Sequence, residues 1–198
     1  MSTIPNEQEC LDILRGQGAP DRVIKHVCTV MVLAVTVAEK CGADVELVRA
    51  GGLLHDLGRT RTHGIRHAVE GAAIARSLHL PEPLVLIIQK HIWAGMTPGE
   101  AAEVGLPDLD YVPSSREEKI VCHADNLVGD AVYLTSQESY RDFVRKGFDS
   151  TGQRMLAMHR ELSDLCGQDI DELITGMAEK KWSGPCSHYL ELKIKKWD

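Results

Sequence analysis

Residues 51–67 read GGLLHDLGRTRTHGIRH and place a histidine and an aspartate side by side at the end of an apolar helix. The helix dipole disfavours a carboxylate at this end, so the position of Asp56 indicates a functional reason. Arginines follow at Arg59, Arg61 and Arg66. Because neutral imidazole and carboxylate suit divalent first-row metals, the stretch predicts a metal site beside a cationic loop.

A predicted helical hairpin brings a second histidine to the level of this doublet. His26 lies sixteen positions before Gly42, and His55 lies thirteen positions after it. At a rise of ~1.5 Å per residue, the two histidines are ~24 and ~20 Å from the turn. If the two helices pack antiparallel, His26 and His55 reach nearly the same level.

A second hairpin repeats this arrangement. His67 lies fourteen positions before Pro81, and His91 lies ten positions after it. Asp125 adds a carboxylate in the middle of a further apolar helix. A buried aspartate needs compensation, which a divalent cation supplies, and helical bundles build metal sites from side chains on facing helices. The histidines at 79, 123, 159 and 188 are interpreted as structural.

Helix patterns dominate the whole chain. Apolar residues run almost without interruption from Val23 to Ala38, so this helix is predicted to lie at the centre of the fold, with Gly42 as its left-handed cap. Asp44 is predicted to cap a second helix that Gly58 ends. Further helices are predicted from about 67 to 80, 83 to 95 and 118 to 134, with a short one at 98–105, two or three over 137–182, and a strand or docked tail at 186–197. The prediction is an all-α fold.

Composition limits the classes of function. The chain has 198 residues and a net charge of −7, with 43% hydrophobic and 26% charged residues, which gives a normal core and no basic surface for long nucleic acid. The six cysteines form no C-x-x-C pair and are expected to be reduced. No apolar run approaches the ~18 residues of a membrane span, and no signal peptide is seen at the N-terminus, so the sequence predicts a cytoplasmic protein without a membrane partner.

The order of the predicted ligands is itself informative. His26, the His55–Asp56 doublet and Asp125 resemble the H…HD…D signature of the HD phosphohydrolase superfamily. The stretch LLHDLGR is similar to its HDIG branch, with Leu57 in place of Ile, a swap that conserves volume. The segments IRHAVEGAAIAR and IIQKHIWAG resemble the next two histidine motifs of members with two metals.

This resemblance implies an HD-domain helical bundle of about seven to nine helices with additional C-terminal helices. The likeness is greatest to small stand-alone HDIG proteins, especially archaeal ones. It covers about residues 21–130, so we expect a lead-in at 1–20, an HD core at 21–130 and a C-terminal extension at 131–198 packed on the same domain.

The resemblance also implies the metal ligands. One ion is held by His26, His55, Asp56 and Asp125, and a second by His67, His91 and the bridging Asp56. The expected cofactors are one or two divalent ions of Fe, Mn, Zn, Ni or Co, and Mg is also compatible with such a site.

The implied activity is hydrolysis of a nucleotide or another small phosphate ester, monoester or diester, by a metal-activated hydroxide. The candidate catalytic residues are Asp56, Arg59 and His63, and the candidate phosphate-binding residues are Arg59, Arg61, Arg66 and Asn126. The expected partner is a small phosphorylated substrate, and a homodimer is compatible with the sequence.

Three other interpretations stay open. A related helical cage with two irons activates dioxygen instead of water, and its ligand pattern is the same. A metal-stabilised module without catalytic activity is the second alternative, and it would show no open coordination position. A plain helical domain with chance histidines is the third, and the joint spacing of the six residues argues against it.

Overall fold

The computed structural model describes residues 3–129, 131–177 and 182–190, together with the backbone of 193–194. Over these residues the chain forms ten α-helices: α1 Glu7–Gly16, α2 Asp21–Cys41, α3 Val45–Leu54, α4 His67–Ser77, α5 Glu82–Lys90, α6 Pro98–Glu103, α7 Arg116–Asn126, α8 Ser136–Arg145, α9 Asp149–Cys166 and α10 Ile170–Gly176. Two 3-10 segments cover Leu57–Thr60 and Pro185–Tyr189. The predicted all-α fold is confirmed.

The central helix is α2, as its apolar pattern predicts. Val30, Met31, Leu33 and Val35 are all fully buried, and the helix contacts α3, α7, α9 and α10. Gly42 ends it in the left-handed conformation, at φ 63°. Because α2 is packed on several sides, it provides a rigid base for any side chain that it carries.

The second helix is shorter than the sequence predicts, and Gly58 has a different role. Helix α3 ends at Leu54, and Gly58 lies inside the 3-10 segment that follows. A Cβ at Gly58 would lie 1.8 Å from the His67 carbonyl oxygen and 2.6 Å from the Gly71 amide nitrogen. The glycine is therefore needed for close packing of this segment on α4, and the predicted helix cap is wrong.

The helix that carries Asp125 also ends early. Ser115 caps α7 in the predicted capping box, but the helix stops at Asn126, not near residue 134. The chain then forms a hairpin of β1 (Val128–Gly129) and β2 (Val132–Tyr133), and β3 (Lys193–Ile194) pairs parallel with β2. The Tyr133 ring is fully buried and its hydroxyl donates to the Thr29 carbonyl at 3.1 Å. This anchoring of Tyr133 on α2 replaces the predicted helical continuation.

Helices α4 and α5 end a few residues before the predicted positions, and the positive φ values of His79 and Trp93 mark the turns after them. Over 137–182, the described residues form three helices, α8 to α10, in agreement with the predicted two or three. The predicted strand or tail at 186–197 is described only at 186–190 and in the two-residue strand β3, and the rest of it lies outside the described residues. Among the described residues, no helix is long and apolar enough to cross a membrane.

The cysteines differ from the expectation. Cys28 is joined to Cys186 and Cys41 to Cys166, while Cys10 and Cys122 are buried thiols. The partners are 158 and 125 residues apart in the chain, so no local spacing could have revealed them. Both bridges attach the C-terminal part of the chain to α2, and the prediction of six reduced cysteines is wrong for this structure.

Candidate metal centre

Six histidine and aspartate side chains meet where the helices of the two hairpins end. They are His26 in α2, His55 and Asp56 after α3, His67 at the start of α4, His91 after α5 and Asp125 in the last turn of α7. The convergence expected from the hairpin spacing is present in the structure. What each of the six residues does there stays a prediction.

The first group consists of His26, His55 and Asp125. Nε2 of His26 lies 2.9 Å from Asp125 Oδ1, and Nε2 of His55 lies 3.4 Å from the same oxygen. The two ring centroids are 5.4 Å apart. One carboxylate oxygen and two imidazole nitrogens thus point at a common space.

The second group consists of Asp56, His67 and His91. Oδ1 of Asp56 lies 3.3 Å from His67 Nε2 and 3.7 Å from His91 Nε2. The two Nε2 atoms lie 2.9 Å from each other. All three residues are buried.

Asp56 stands between the two groups. Its Oδ1 faces His67 and His91, while its Oδ2 lies 3.9 Å from His26 Nε2 and 4.0 Å from His55 Nε2. The side chain is only 9% exposed. Each oxygen of one carboxylate is therefore directed at a different set of imidazoles, which is the arrangement that a bridging ligand requires.

The ring nitrogens fit metal ions at both positions. In three rings Nδ1 lies close to the carbonyl oxygen three residues earlier, at 2.8 Å for His55 and Gly52, 2.9 Å for His67 and Gly64, and 2.7 Å for His91 and Ile88. A neutral ring that donates from Nδ1 presents a bare lone pair at Nε2, and such backbone contacts commonly orient metal-binding histidines. The buried Nε2 of His55 has no hydrogen-bond partner. The donor set therefore suits a divalent ion.

The charges of the centre favour ionised carboxylates. Burial raises the pKa of Asp56, but the neighbouring His91 and the charge of His55 hold it well below its usual range. Burial likewise opposes ionisation of Asp125, and the charge of His55 and the hydrogen bond from His26 lower its pKa strongly. Burial, followed by the repulsion of His91, lowers the pKa of His67 to about 3. The carboxylates are thus anionic and His67 is neutral, the states in which they bind metals.

His55 is the exception, because its burial and its neighbours act in opposite directions. Burial lowers the pKa of His55, but the nearby charges of Asp125 and Asp56 raise it to about 9. A cation at this position, whether a proton or a metal ion, compensates the two buried carboxylates.

A cavity of about 510 Å³ opens beside His26 and Asp56. Four basic side chains line it: Arg22, Lys25, Arg59 and His63. A second cavity of about 270 Å³, which shares Arg59 and His63, reaches His67, His91 and Asp125. The centre is therefore accessible through a cationic entrance, although the chain as a whole is acidic.

The contacts of Arg59 connect this entrance to the centre. Its Nε donates to Asp56 Oδ1 at 3.0 Å, and its Nη1 donates to the His63 carbonyl oxygen at 2.7 Å. Nη2 of Arg22 lies 3.2 Å from His63 Nε2. Arg22 and Lys25 were not predicted from the sequence, although they precede His26 by four positions and one position on the same helix. A spacing of four residues places Arg22 on the helix face of His26.

The other predicted phosphate-binding residues have different surroundings. Arg61 donates to Gln17 Oε1 and Arg66 to the Gly105 carbonyl, each at 3.4 Å, and neither lines the two cavities above. Asn126 lines the smaller cavity, and its Nδ2 donates to the carbonyl oxygens of Trp93 and Cys122. Roles for these three residues in phosphate binding stay predictions.

Two histidines interpreted as structural form a pair of their own. His123 Nε2 lies 3.0 Å from His159 Nδ1, and both residues are buried between α7 and α9. His159 Nε2 lies 3.5 Å from Asp169 Oδ1. Burial, with the repulsion of His159, lowers the pKa of His123 to about 3, so His123 is neutral. The pair packs α7, which carries Asp125, against α9.

Comparison with known proteins adds three findings. The family model of the HD domain matches residues 23–130. A tRNA (cytidine(56)-2'-O)-methyltransferase of Thermoplasma volcanium is 46% identical over 170 residues, which are 86% of this chain and 50% of that protein. Uncharacterized protein MJ0778 of Methanocaldococcus jannaschii is 41% identical over 169 residues, 80% of this chain and 97% of that one. The chain thus spans about half the length of the methyltransferase.

The fold has a solved counterpart. The HD domain of the L. monocytogenes phosphodiesterase PgpH, in complex with cyclic-di-AMP, superposes with a TM-score of 0.53 at 20% sequence identity. The match covers 88% of this chain and 99% of the PgpH domain. At this identity the likeness concerns the fold.

Proposed function

The chain belongs to the HD-domain family, and on that premise we propose that it is a metal-dependent phosphohydrolase acting on a nucleotide or another small phosphate ester. The observation that carries the proposal is the position of Asp56, with one carboxylate oxygen directed at each pair of imidazoles. The HD-domain phosphodiesterase PgpH has the same fold.

Two ions fit this centre, and the residues that would hold them can be named. His26, His55, Asp56 and Asp125 would hold one ion, and Asp56, His67 and His91 the other. When bound, divalent ions supply Lewis-acid activation of water and of phosphoryl oxygens. Iron, manganese, zinc, nickel and cobalt suit these ligands, and magnesium is also compatible.

The cationic cavity binds the phosphate in this proposal. Arg22, Lys25 and Arg59 place positive charge on its walls, next to Asp56. Such charges bind the ground-state phosphate and stabilise the charge that develops on its oxygens. Arg59 also holds the Asp56 carboxylate in place through its Nε donor, and His63 lies on the same wall, where it can hold a proton for the leaving oxygen.

The size of the site suits a small ligand. The two connected cavities, of about 510 and 270 Å³, lie in or near the range of small-molecule sites. PgpH was solved with a cyclic dinucleotide, which supports a nucleotide as the substrate class. The methyltransferase name belongs to a protein of which this chain spans half, and nothing in the His/Asp centre favours methyl transfer.

Hydrolysis of a panel of phosphomonoesters and phosphodiesters in strictly anaerobic buffer with Mn²⁺ tests the proposal. We expect turnover by the wild-type protein and its loss in Asp56→Asn, with the fold retained by circular dichroism. Turnover that requires dioxygen would indicate an oxygenase. A protein that holds its metals but converts no ester, with or without dioxygen, would indicate a non-catalytic module.

A further inference from the structure

A third cavity, of about 250 Å³, opens beside Asp125. It shares Trp93, Asp125 and Asn126 with the smaller cavity of the metal centre. Phe148 also lines it. Asp125 therefore borders both the smaller cavity of the metal centre and a cavity with aromatic walls.

The aromatic wall consists of two rings in contact. The centroids of Trp93 and Phe148 lie 4.5 Å apart, with an angle of 37° between the ring planes. Phe148 is 37% exposed, although a phenyl ring is among the most strongly apolar side chains. Two aromatic rings that stay accessible beside a carboxylate-rich centre form a platform on which a flat ring can stack.

The backbone of Trp93 is held in an uncommon conformation. Its φ is 54°, in the left-handed region, which is a genuine outlier for a bulky residue. Two groups on α7 fix its carbonyl oxygen: Asn126 Nδ2 donates to it, and Cys122 Sγ lies 3.3 Å away. Conformations of this kind persist where the surroundings enforce them, and they cluster at ligand sites. The helix that carries Asp125 thus also fixes the position of Trp93.

Polar groups complete the cavity. Asp142 and Lys146 also line it and form an ion pair with each other, and Asp142 pairs with Arg145 as well. A carboxylate acceptor and an ammonium donor on the wall of an aromatic cavity match the mixed donor and acceptor edge of a nucleobase. An aliphatic phosphate ester would leave the two rings without a stacking partner.

We propose that the cavity lined by Trp93 and Phe148 binds the base of a nucleoside phosphate, with the phosphate at the metal centre. This inference rests on the proposed function and narrows it, because it selects esters that carry an aromatic base. Trp93 and Phe148 are then specificity-determining residues. Groups on the other side of the reacting phosphate would lie in the cationic cavity beside Arg22.

Tryptophan fluorescence provides the test, with AMP and ribose 5-phosphate as probes that differ in the base. In stopped-flow mixing before turnover, we expect AMP to quench the fluorescence of the metal-loaded protein and ribose 5-phosphate to leave it unchanged. AMP is expected to bind about tenfold more tightly than ribose 5-phosphate, as stacking of one base allows. Trp182→Phe is the matched control and keeps the quenching, because Trp182 lines a separate cavity with Glu7.

Three variants keep the inference falsifiable. Trp93→Phe should retain most of the preference for AMP, and Trp93→Leu should lose it. Phe148→Leu leaves Trp93 in place and should weaken AMP binding alone. Equal affinity for the two probes in the wild-type protein, or an undiminished preference in Trp93→Leu, would overturn the base site.

The failure of this inference can be distinguished from failure of the proposed function. Hydrolysis of ribose 5-phosphate with the same kcat/KM as AMP overturns the base site and leaves the phosphohydrolase intact. Quenching that is selective for AMP, without hydrolysis of any ester, overturns the phosphohydrolase and supports the base site.

Discussion

Nε2 of His67 lies 2.9 Å from Nε2 of His91, although Nδ1 of each ring already faces a backbone carbonyl oxygen. Two neutral rings in this arrangement direct their lone pairs at each other, which is unfavourable unless a cation lies between them. Burial, followed by the repulsion of a protonated His91, lowers the pKa of His67 to about 3, so that cation is either a proton held by His91 or a metal ion. Counting the bound metal ions distinguishes the two.

Metal content tests this directly. Elemental mass spectrometry of anaerobically purified protein should give about two ions per chain, falling to about one in His67→Ala and in His91→Ala, since each variant removes a ligand of the second ion. His79→Asn is the control: His79 is exposed, and asparagine tolerates its φ of 55°. One ion in the wild-type protein, unchanged in both variants, would rule out the second site.

Arg22→Ala should raise the KM for an anionic ester roughly tenfold, as expected when one charge-assisted hydrogen bond is lost. The variant leaves every predicted metal ligand in place, so metal content should not change. Steady-state kinetics of Arg61→Ala provide the comparison, because Arg61 contacts Gln17 outside the cationic cavity. A larger rise in KM in Arg61→Ala than in Arg22→Ala would assign phosphate binding to the loop after Asp56 instead of α2.

Gly58→Ala should destabilise the protein by about 3 kcal/mol or more, because the added Cβ would meet backbone atoms that cannot move independently. Urea unfolding followed by circular dichroism measures the effect. The matched control is Gly64→Ala in the same loop, where the nearest atom to the added Cβ beyond the adjacent residues would be Thr62 Oγ1 at 3.8 Å. Equal midpoints for the two variants would contradict the close packing of Gly58 on α4.

Thiol titration in denaturant should detect about two free thiols before reduction, from Cys10 and Cys122, and all six afterwards. Reduction should also lower stability by roughly 2–4 kcal/mol per bridge, because each bridge restricts a long loop of the unfolded chain. Thermal unfolding with and without reductant measures this loss. Six free thiols in carefully alkylated protein would restore the expectation of reduced cysteines.

The His123–His159 pair should make stability depend on pH. Burial, with His159, lowers the pKa of His123 to about 3, while in the unfolded chain it lies near the ordinary 6.5. Between these values only the unfolded chain takes up the proton, so stability falls as the pH drops below 6.5, by at most about 1.4 kcal/mol per pH unit. Chemical unfolding measures the free energy of unfolding at pH 7 and at pH 5. The loss of this free energy between the two pH values should be smaller in His123→Gln than in the wild-type protein. The same loss in both proteins would contradict a neutral, buried His123.

The parts that could be predicted from sequence depend on local periodicity. The length of α2 and the cap at Gly42 follow from a pattern that repeats along one helix, and the level of His26 relative to His55 follows from helix rise. The hairpin after Asn126 and the role of Gly58 depend on contacts with distant elements. The disulfide partners of Cys28 and Cys41 in α2 likewise come from distant parts of the chain.

The conformation of Trp93 at the candidate site also could not be predicted from the sequence. Its sequence neighbours resemble a histidine motif, but its left-handed backbone is held by Cys122 and Asn126, about thirty positions further along the chain. Arg22 was not predicted for a simpler reason. The sequence shows its four-residue spacing from His26, but it does not show that this helix face lines a cavity. Long-range contacts of this kind become visible only in three dimensions.

Three imidazoles of the centre are each oriented by a carbonyl oxygen only three residues earlier in the chain. Their orientation is therefore built into single turns of backbone and is present before any ion arrives. An incoming ion has little rotational entropy of these rings to remove. Folding and metal loading would then be separate events, and the choice of divalent ion would depend on which ions are available more than on reorganisation of the protein.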